Sequence, residues 1–152
     1  MKVYTDGSSL KNSKTSHGGW ACLFVFNNED QKTILRSNYL QGTNNLNELM
    51  AISYAFWYSI NKLKIHDEDI EIISDSEYSI KILTGKNKAR ANLNLIQKIK
   101  SMMDELEKLN CKISFRHIEA HTGKSDLDYK YNDIVDKEAR RQAKTQGSEI
   151  KK

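Results

Sequence analysis

The sequence predicts an α/β layer structure, a mixed sheet covered by helices. Two observations predict it. The elements read in the order βββαβααβα, with three strands meeting through short polar turns before any helix appears. Each later strand is then set off by a helix, as a layered sheet requires. At 152 residues the chain is a single domain, long enough for one sizeable core.

The first strand is Lys2-Val3-Tyr4-Thr5, a β-prone run broken by Gly7-Ser8-Ser9. Asp6 stands where this strand meets its turn. An acid there packs poorly but can hold a cation above a sheet edge, although Asp-Gly alone is also an ordinary turn opener. A polar turn covers Leu10 to His17, and Trp20 to Phe26 reads as a buried strand. Asn27 to Asp30 is a hairpin turn, and Lys32 to Leu40 returns as the third strand. Asn44 or Asn45 is placed to cap a helix from Leu46 to about Leu63. Its two apolar stripes, one through Leu49 and Trp57 and one through Ile52 and Phe56, predict deep burial. Glu48 is expected in its first turn, on a face shared with the small residues Ala51 and Ala55. As a lone feature, a Glu there is also a partner for the helix dipole.

Ile70 to Ser74 is a short β-branched strand, and it too ends in an acid, Asp75. Glu77 to Leu83 is a short helix closed at Thr84-Gly85, followed by the basic link Lys86 to Arg90. Asn92 to Leu109 is a longer helix in which Met102 and Met103 read as core filling. Cys111 to Ile118 is the last strand. Glu119 to Tyr131 is polar and reads as a mobile loop carrying His121. Asn132 to about Lys144 is the final helix, with Asp136 one turn in, and Thr145 to Lys152 is expected to fray.

Composition narrows the function classes. The 38% apolar content describes a globular chain, and no apolar run approaches the roughly 20 residues of a spanning helix. Asp6 arrives before an apolar leader could form, so no signal peptide is expected. Cys22 and Cys111 lie in strand-like stretches without zinc spacing and read as reduced core residues, which fits a cytoplasmic home. The net charge of +4 is a mild pointer to a polyanion. From Lys81 to Arg116, nine bases face three acids, so this segment could follow phosphates, or be a solvated helix face.

The acids Asp6, Glu48, Asp75 and Asp136 sit oddly for packing, two at strand ends and two near helix starts. If the two strands lie side by side, the four carboxylates can meet on one edge. Such a group repels itself unless it binds cations, and hard oxygen ligands suit Mg²⁺ or Mn²⁺.

Five segments then resemble one family: Tyr4-Thr5-Asp6-Gly7-Ser8, Thr43-Asn44-Asn45-Leu46-Asn47-Glu48, Ser74-Asp75-Ser76-Glu77-Tyr78, His121-Thr122-Gly123, and Asn132 with Asp136 and Ala139. Their order and spacing are similar to type 1 ribonuclease H from Lys2 to about Ala143. The resemblance implies a five-stranded mixed sheet with helices on both faces and a catalytic domain over residues 1–144. It implies cleavage of the RNA strand of an RNA–DNA hybrid by two Mg²⁺ ions, Mn²⁺ substituting, to leave 5′-phosphate and 3′-hydroxyl ends. Asp6 would bridge both ions, Asp136 would share one, and Glu48 and Asp75 would hold the other. His121 would protonate the leaving group or help release product.

The resemblance also implies substrate contacts. Asn12, Asn44 and Asn45 match positions that meet the hybrid, and Thr43 and Asn92 match positions that hold a DNA-strand phosphate. Three departures stand out. Only Thr84 to Ala91 fills the place of the family's basic handle, so Lys86, Lys88 and Arg90 are expected to compensate. Glu77 replaces a frequent Gln in the hybrid-facing motif and adds a charge beside the acids, and Gln41 stands where some relatives carry Arg. A monomer with a hybrid as partner and no membrane contact is expected. The alternatives are a DNA-cutting nuclease of the same fold, a non-catalytic hybrid-binding module, or a domain excised from a reverse transcriptase.

Overall fold

A computed structural model describes residues 1–10, 17–26, 32–39, 43–119 and 127–150, with backbone alone for 32–39 and 145–150. The strands are β1 (Lys2–Leu10), β2 (His17–Val25), β3 (Lys32–Tyr39), β4 (Ile70–Ser74) and β5 (Ile113–His117). They form one sheet in the order β3-β2-β1-β4-β5. The first three are antiparallel, whereas β4 joins β1, and β5 joins β4, in parallel. The helices are α1 (Asn44–Asn61), α2 (Glu77–Leu83), α3 (Leu93–Lys108) and α4 (Leu127–Ile150).

The sheet separates two cores. On one face Val3, Cys22, Phe24 and Ile72 meet Leu49, Ile52 and Phe56 of α1, Ile82 and Leu83 of α2, and Ile99 and Leu106 of α3. On the other, Tyr4, Ala21, Leu23 and Ile73 meet Tyr131, Val135 and Ala139 of α4. Alternation along β1 explains the division, since Val3 and Tyr4 point to opposite faces. Cys22 and Cys111 are buried and unbonded to each other. Among the described residues no helix is long and apolar enough to cross a membrane.

Five expectations need correction. The first strand does not break at Gly7-Ser8-Ser9: β1 continues to Leu10, because those residues pair with β2, so Asp6 lies inside the strand opposite Ala21 rather than at a turn. The cap of α1 is Thr43, whose hydroxyl accepts from the Leu46 amide at 3.1 Å, rather than Asn44 or Asn45. Glu48 therefore lies in the second turn, not the first. Trp57, read as a buried stripe residue, is 37% exposed beside Tyr54. The final helix begins at Leu127, inside the stretch read as loop, and continues past Lys144 to Ile150. Its polar first turn concealed it, because the inward residues there are Tyr131 and an ion-paired Asp128 rather than an aliphatic stripe. Asp136 consequently sits in the third turn of α4.

Candidate metal and nucleic-acid site

Strand register brings the first two acids together. Thr5 is paired with Ser74 at the end of the β1–β4 ladder, so Asp6 and Asp75 are the next residues on two adjacent parallel strands. This is the carboxyl edge of the parallel strands, where open α/β sheets place ligands. The turn after β4 is held locally: the Ser76 amide donates to Ser74 Oγ at 3.0 Å, and Ser76 Oγ caps α2 by accepting from the Ser79 amide at 3.1 Å. Asp75 rides between those two serines.

Glu48 arrives from α1 because the strand beneath it has no side chain in the way. A methyl group at Gly7 would lie 2.3 Å from the backbone of Asn47 and Glu48, so only glycine permits this approach. Two further bonds set the helix start, with the Ser9 amide donating to Asn44 Oδ1 at 2.9 Å and Ser9 Oγ donating to it at 3.1 Å. One carboxylate oxygen each from Asp6, Glu48 and Asp75 then lie within 4.8 Å of one another.

Asp136 completes the group from the opposite face. It comes close enough to Asp6 to help raise that carboxyl, and its Oδ1 lies 3.4 Å from Arg140 Nε. It stands outside the tight trio, and its carboxyl acts on both Asp6 and Glu48. The close seat of α4 again depends on glycine, since a methyl at Gly19 would fall 2.4 Å from the Ala139 carbonyl oxygen.

Burial and mutual repulsion shape the charge of this group. Asp6 is 3% exposed and Glu48 is 8% exposed. Burial, followed by the Glu48 charge, holds the Asp6 carboxyl well above the usual carboxylate range. Burial also raises Glu48, helped by the charges of Asp75 and Asp136 and opposed by hydrogen bonds from Asp6 and Gly7. Glu48 Oε2 is buried and receives no hydrogen bond from the described residues. A buried carboxylate oxygen without a donor, facing two more carboxylates, is what a hard divalent cation would satisfy, so the residues present fit one.

A second feature lies beside the acids. Thr43, Asn45, Asn87, Lys88, Arg90 and Asn92 line a groove of about 620 Å³ floored by Tyr78 and Ile82. Asn92 caps α3 in the left-handed conformation, φ 59°, without using its side chain for the cap. Thr43 and Asn92 both line this groove, with two of the three link cations. Asn87 was missed, and its position beside Lys88 in a basic link was the available signal.

Other assignments fall differently. Glu77 turns to Lys81, 2.6 Å away, which holds its carboxyl below the usual range and answers the extra charge. Neither Glu77 nor the groove residues belong to the acid trio. His117, given no role from sequence, places Nε2 3.3 Å from the Asp75 carbonyl oxygen, to which it can only donate. Asn12, Gln41 and His121 lie outside the described residues.

Known proteins give the same picture. A family model for RNase H matches residues 1–144. The ribonuclease H of Schizosaccharomyces pombe is 34% identical over 136 residues, covering 79% of this chain and 46% of that protein. The chain thus spans less than half the length of that curated relative. An N-terminal RNase H domain from Mycobacterium tuberculosis, solved as a fusion with maltose-binding protein, superposes with a TM-score of 0.75 at 12% identity over 98% of each chain. The RNase H1 of the archaeon Halobacterium salinarum gives 0.69 at 23% identity, over 95% of this chain and 97% of that one. An RNase H1 solved in complex with an RNA/DNA hybrid gives 0.71 at 18%, again over 95% and 97%. Those three share the fold, and with the family match running from the first strand into the last helix, the chain belongs to the RNase H family.

Proposed function

We propose that this chain is an endonuclease that hydrolyses the RNA strand of RNA–DNA hybrids, leaving 5′-phosphate and 3′-hydroxyl ends. The observation that carries the reading is the meeting of Asp6, Glu48 and Asp75 within 4.8 Å at the carboxyl edge of β1 and β4, in a chain of this family. Asp6, Glu48, Asp75 and Asp136 would hold two Mg²⁺ ions, with Mn²⁺ as substitute. Two such ions, when bound, stabilise the attacking and leaving oxygens of phosphoryl transfer. Asp6 interacts with each of the other three, and by the family pattern it would be the ligand shared between the ions. The catalytic domain covers residues 1–144, a span that matches the family and includes Ala143 of α4, which packs against Gly19.

The chain's own groups then act on substrate. Lys88 and Arg90, with Thr43 and Asn92, would seat a phosphate of the DNA strand in the groove, taking over from the missing handle. Asn45, exposed at the same groove, can both donate and accept, as a 2′-hydroxyl partner requires, and Asn44 and Asn12 would assist. His121 would deliver a proton to the departing 3′-oxygen. Glu77, held by Lys81, would stand at the edge of the bound hybrid.

The test is a cleavage assay on a labelled hybrid, an RNA duplex and a DNA duplex, each with Mg²⁺ and with EDTA. Cutting of the RNA strand in the hybrid alone, and only with Mg²⁺, is the expected result. Equal cutting of duplex DNA would point to a DNA nuclease on this fold. Hybrid binding without cutting would point to a non-catalytic module.

A further inference from the structure

We propose that Tyr4 and Asp128 are positioning residues that fix how far α4 sits along β1, and so bring Asp136 up to Asp6. The proposal rests on the reading of the four acids as metal ligands. Three contacts run in the same order along both elements. Tyr4 Oη donates to Asp128 Oδ1 at 2.5 Å near the start of each. Next comes Asp136, whose neighbour Val135 packs in the same core as Tyr4 and whose carboxyl acts on Asp6. Beyond them Gly19, the β2 partner of Ser8, packs against Ala139 and Ala143. Helix and strand therefore lie lengthwise, and one register error would displace every later contact.

The apolar part of this seat sets that register less sharply than directed bonds do. Val135, Ala139 and Ala143 are small or short, and apolar contact has no preferred direction. A slip of one helical residue moves the chain by about 1.5 Å, whereas a working site tolerates roughly 0.5 Å. Hydrogen bonds are directional, and Asp128 has several. Besides Tyr4 it accepts from Arg116 Nη1 at 2.5 Å and Nη2 at 3.0 Å, in a bidentate pair. Arg116 also reaches Glu71 Oε1 at 3.4 Å, so β1, β4 and β5 all hold the one carboxylate on α4. Tyr4 is 2% exposed, with its ring edge-on to Tyr131 at 5.2 Å, which aims its hydroxyl. Packing alone would be served as well by phenylalanine.

The experiment is a calorimetric titration of the metal-free full chain with Mn²⁺, for the parent, Tyr4→Phe, Asp128→Asn and a control, Met102→Ala. Met102 lies in the core on the other face of the sheet. Tyr4→Phe should weaken Mn²⁺ binding by about three- to tenfold, near the low end for groups that orient metal ligands, and Asp128→Asn by more. The Mn²⁺ concentration for half-maximal cleavage should rise in step, while KM for the hybrid stays put. Met102→Ala should lower the melting temperature yet leave Mn²⁺ affinity unchanged. Equal Mn²⁺ affinity in Tyr4→Phe and parent would overturn the proposal, as would equal weakening by Met102→Ala. If Asp128→Asn does not fold, Tyr4→Phe decides the matter. No binding by the parent would overturn the metal reading itself, and the positioning role with it.

Discussion

Asp6, Glu48 and Asp75 at the end of the central strands, and Glu71 and Asp128 around Arg116 lower on the same sheet, are two groups of carboxylates with opposite electrostatics. In the first, burial and like charges raise Asp6 and Glu48. In the second, the Arg116 guanidinium pulls Asp128 down to about 2. The second group is complete in itself: each Asp128 oxygen receives a hydrogen bond from Arg116. The first leaves Glu48 Oε2 buried without a donor among the described residues. A sheet stabilised by its acids would look like the second group throughout. The first is maintained at a cost to stability, as a site awaiting cations would be.

Four substitutions or titrations would break or sharpen this contrast. The largest effect should come from Asp6→Asn or Asp75→Asn, each reducing RNA cleavage to the level of the enzyme-free blank while hybrid binding in Ca²⁺ survives. Binding rests mainly on phosphate contacts, and chemistry on the metals. A titration beside the cleavage assay checks this, and loss of binding together with loss of fold would make the acid structural.

Arg116→Met should act on stability in the ordinary direction. It leaves Asp128 and Glu71 without their cation, and since the pair is about a third exposed we expect a loss of about 1–2 kcal/mol, or roughly 3–6 °C in melting temperature. Asp6→Asn should act the other way. In EDTA near neutral pH it should raise the melting temperature by roughly 2–4 °C for about 1 kcal/mol of relieved charge and burial cost. Added Mg²⁺ should then stabilise the parent more than the mutant. A lower melting point for Asp6→Asn in EDTA would make Asp6 a structural residue of β1 instead.

The smallest effect is a difference of slope with pH. Asp6 is raised when folded, so the metal-free protein binds an extra proton there. Its stability contribution is fully present below the unfolded value of 3.8 and is lost as pH rises toward the folded value. Asp128 is lowered, so its contribution is present above 3.8 and is lost as pH falls toward about 2. Melting curves in EDTA from about pH 2 to 8 should show Asp6→Asn flattening the decline at higher pH, and Asp128→Asn flattening the decline at lower pH. Matching slopes in both mutants would mean that the two groups do not differ.

The legibility of the chain follows the same division. β4 and α2 were readable to the residue, because a β-branched run and a short helix bounded by Ser76 and Thr84 leave little choice. Asp6, Glu48 and Asp75 were readable because each interrupts a pattern where packing would prefer something else. The start of α4 was not, since Asp128 looks like any solvated acid until Arg116 is seen beside it. The Thr43 cap was hidden by two asparagines that are equally good caps by composition. The groove could be read only in part, because its link residues come together with Thr43 through folding rather than through spacing.

The parallel ladder between β1 and β4 also has a kinetic consequence. β1 and β2 can pair early across a short connection, but Thr5 meets Ser74 only after α1 has formed and packed between them in sequence. Closing so long a loop carries an entropic cost before any contact offsets it. Asp75 and Asp6 come together only through this long-range pairing, so the ladder that carries the two acids costs more closure entropy than the β1–β2 pairing beside it.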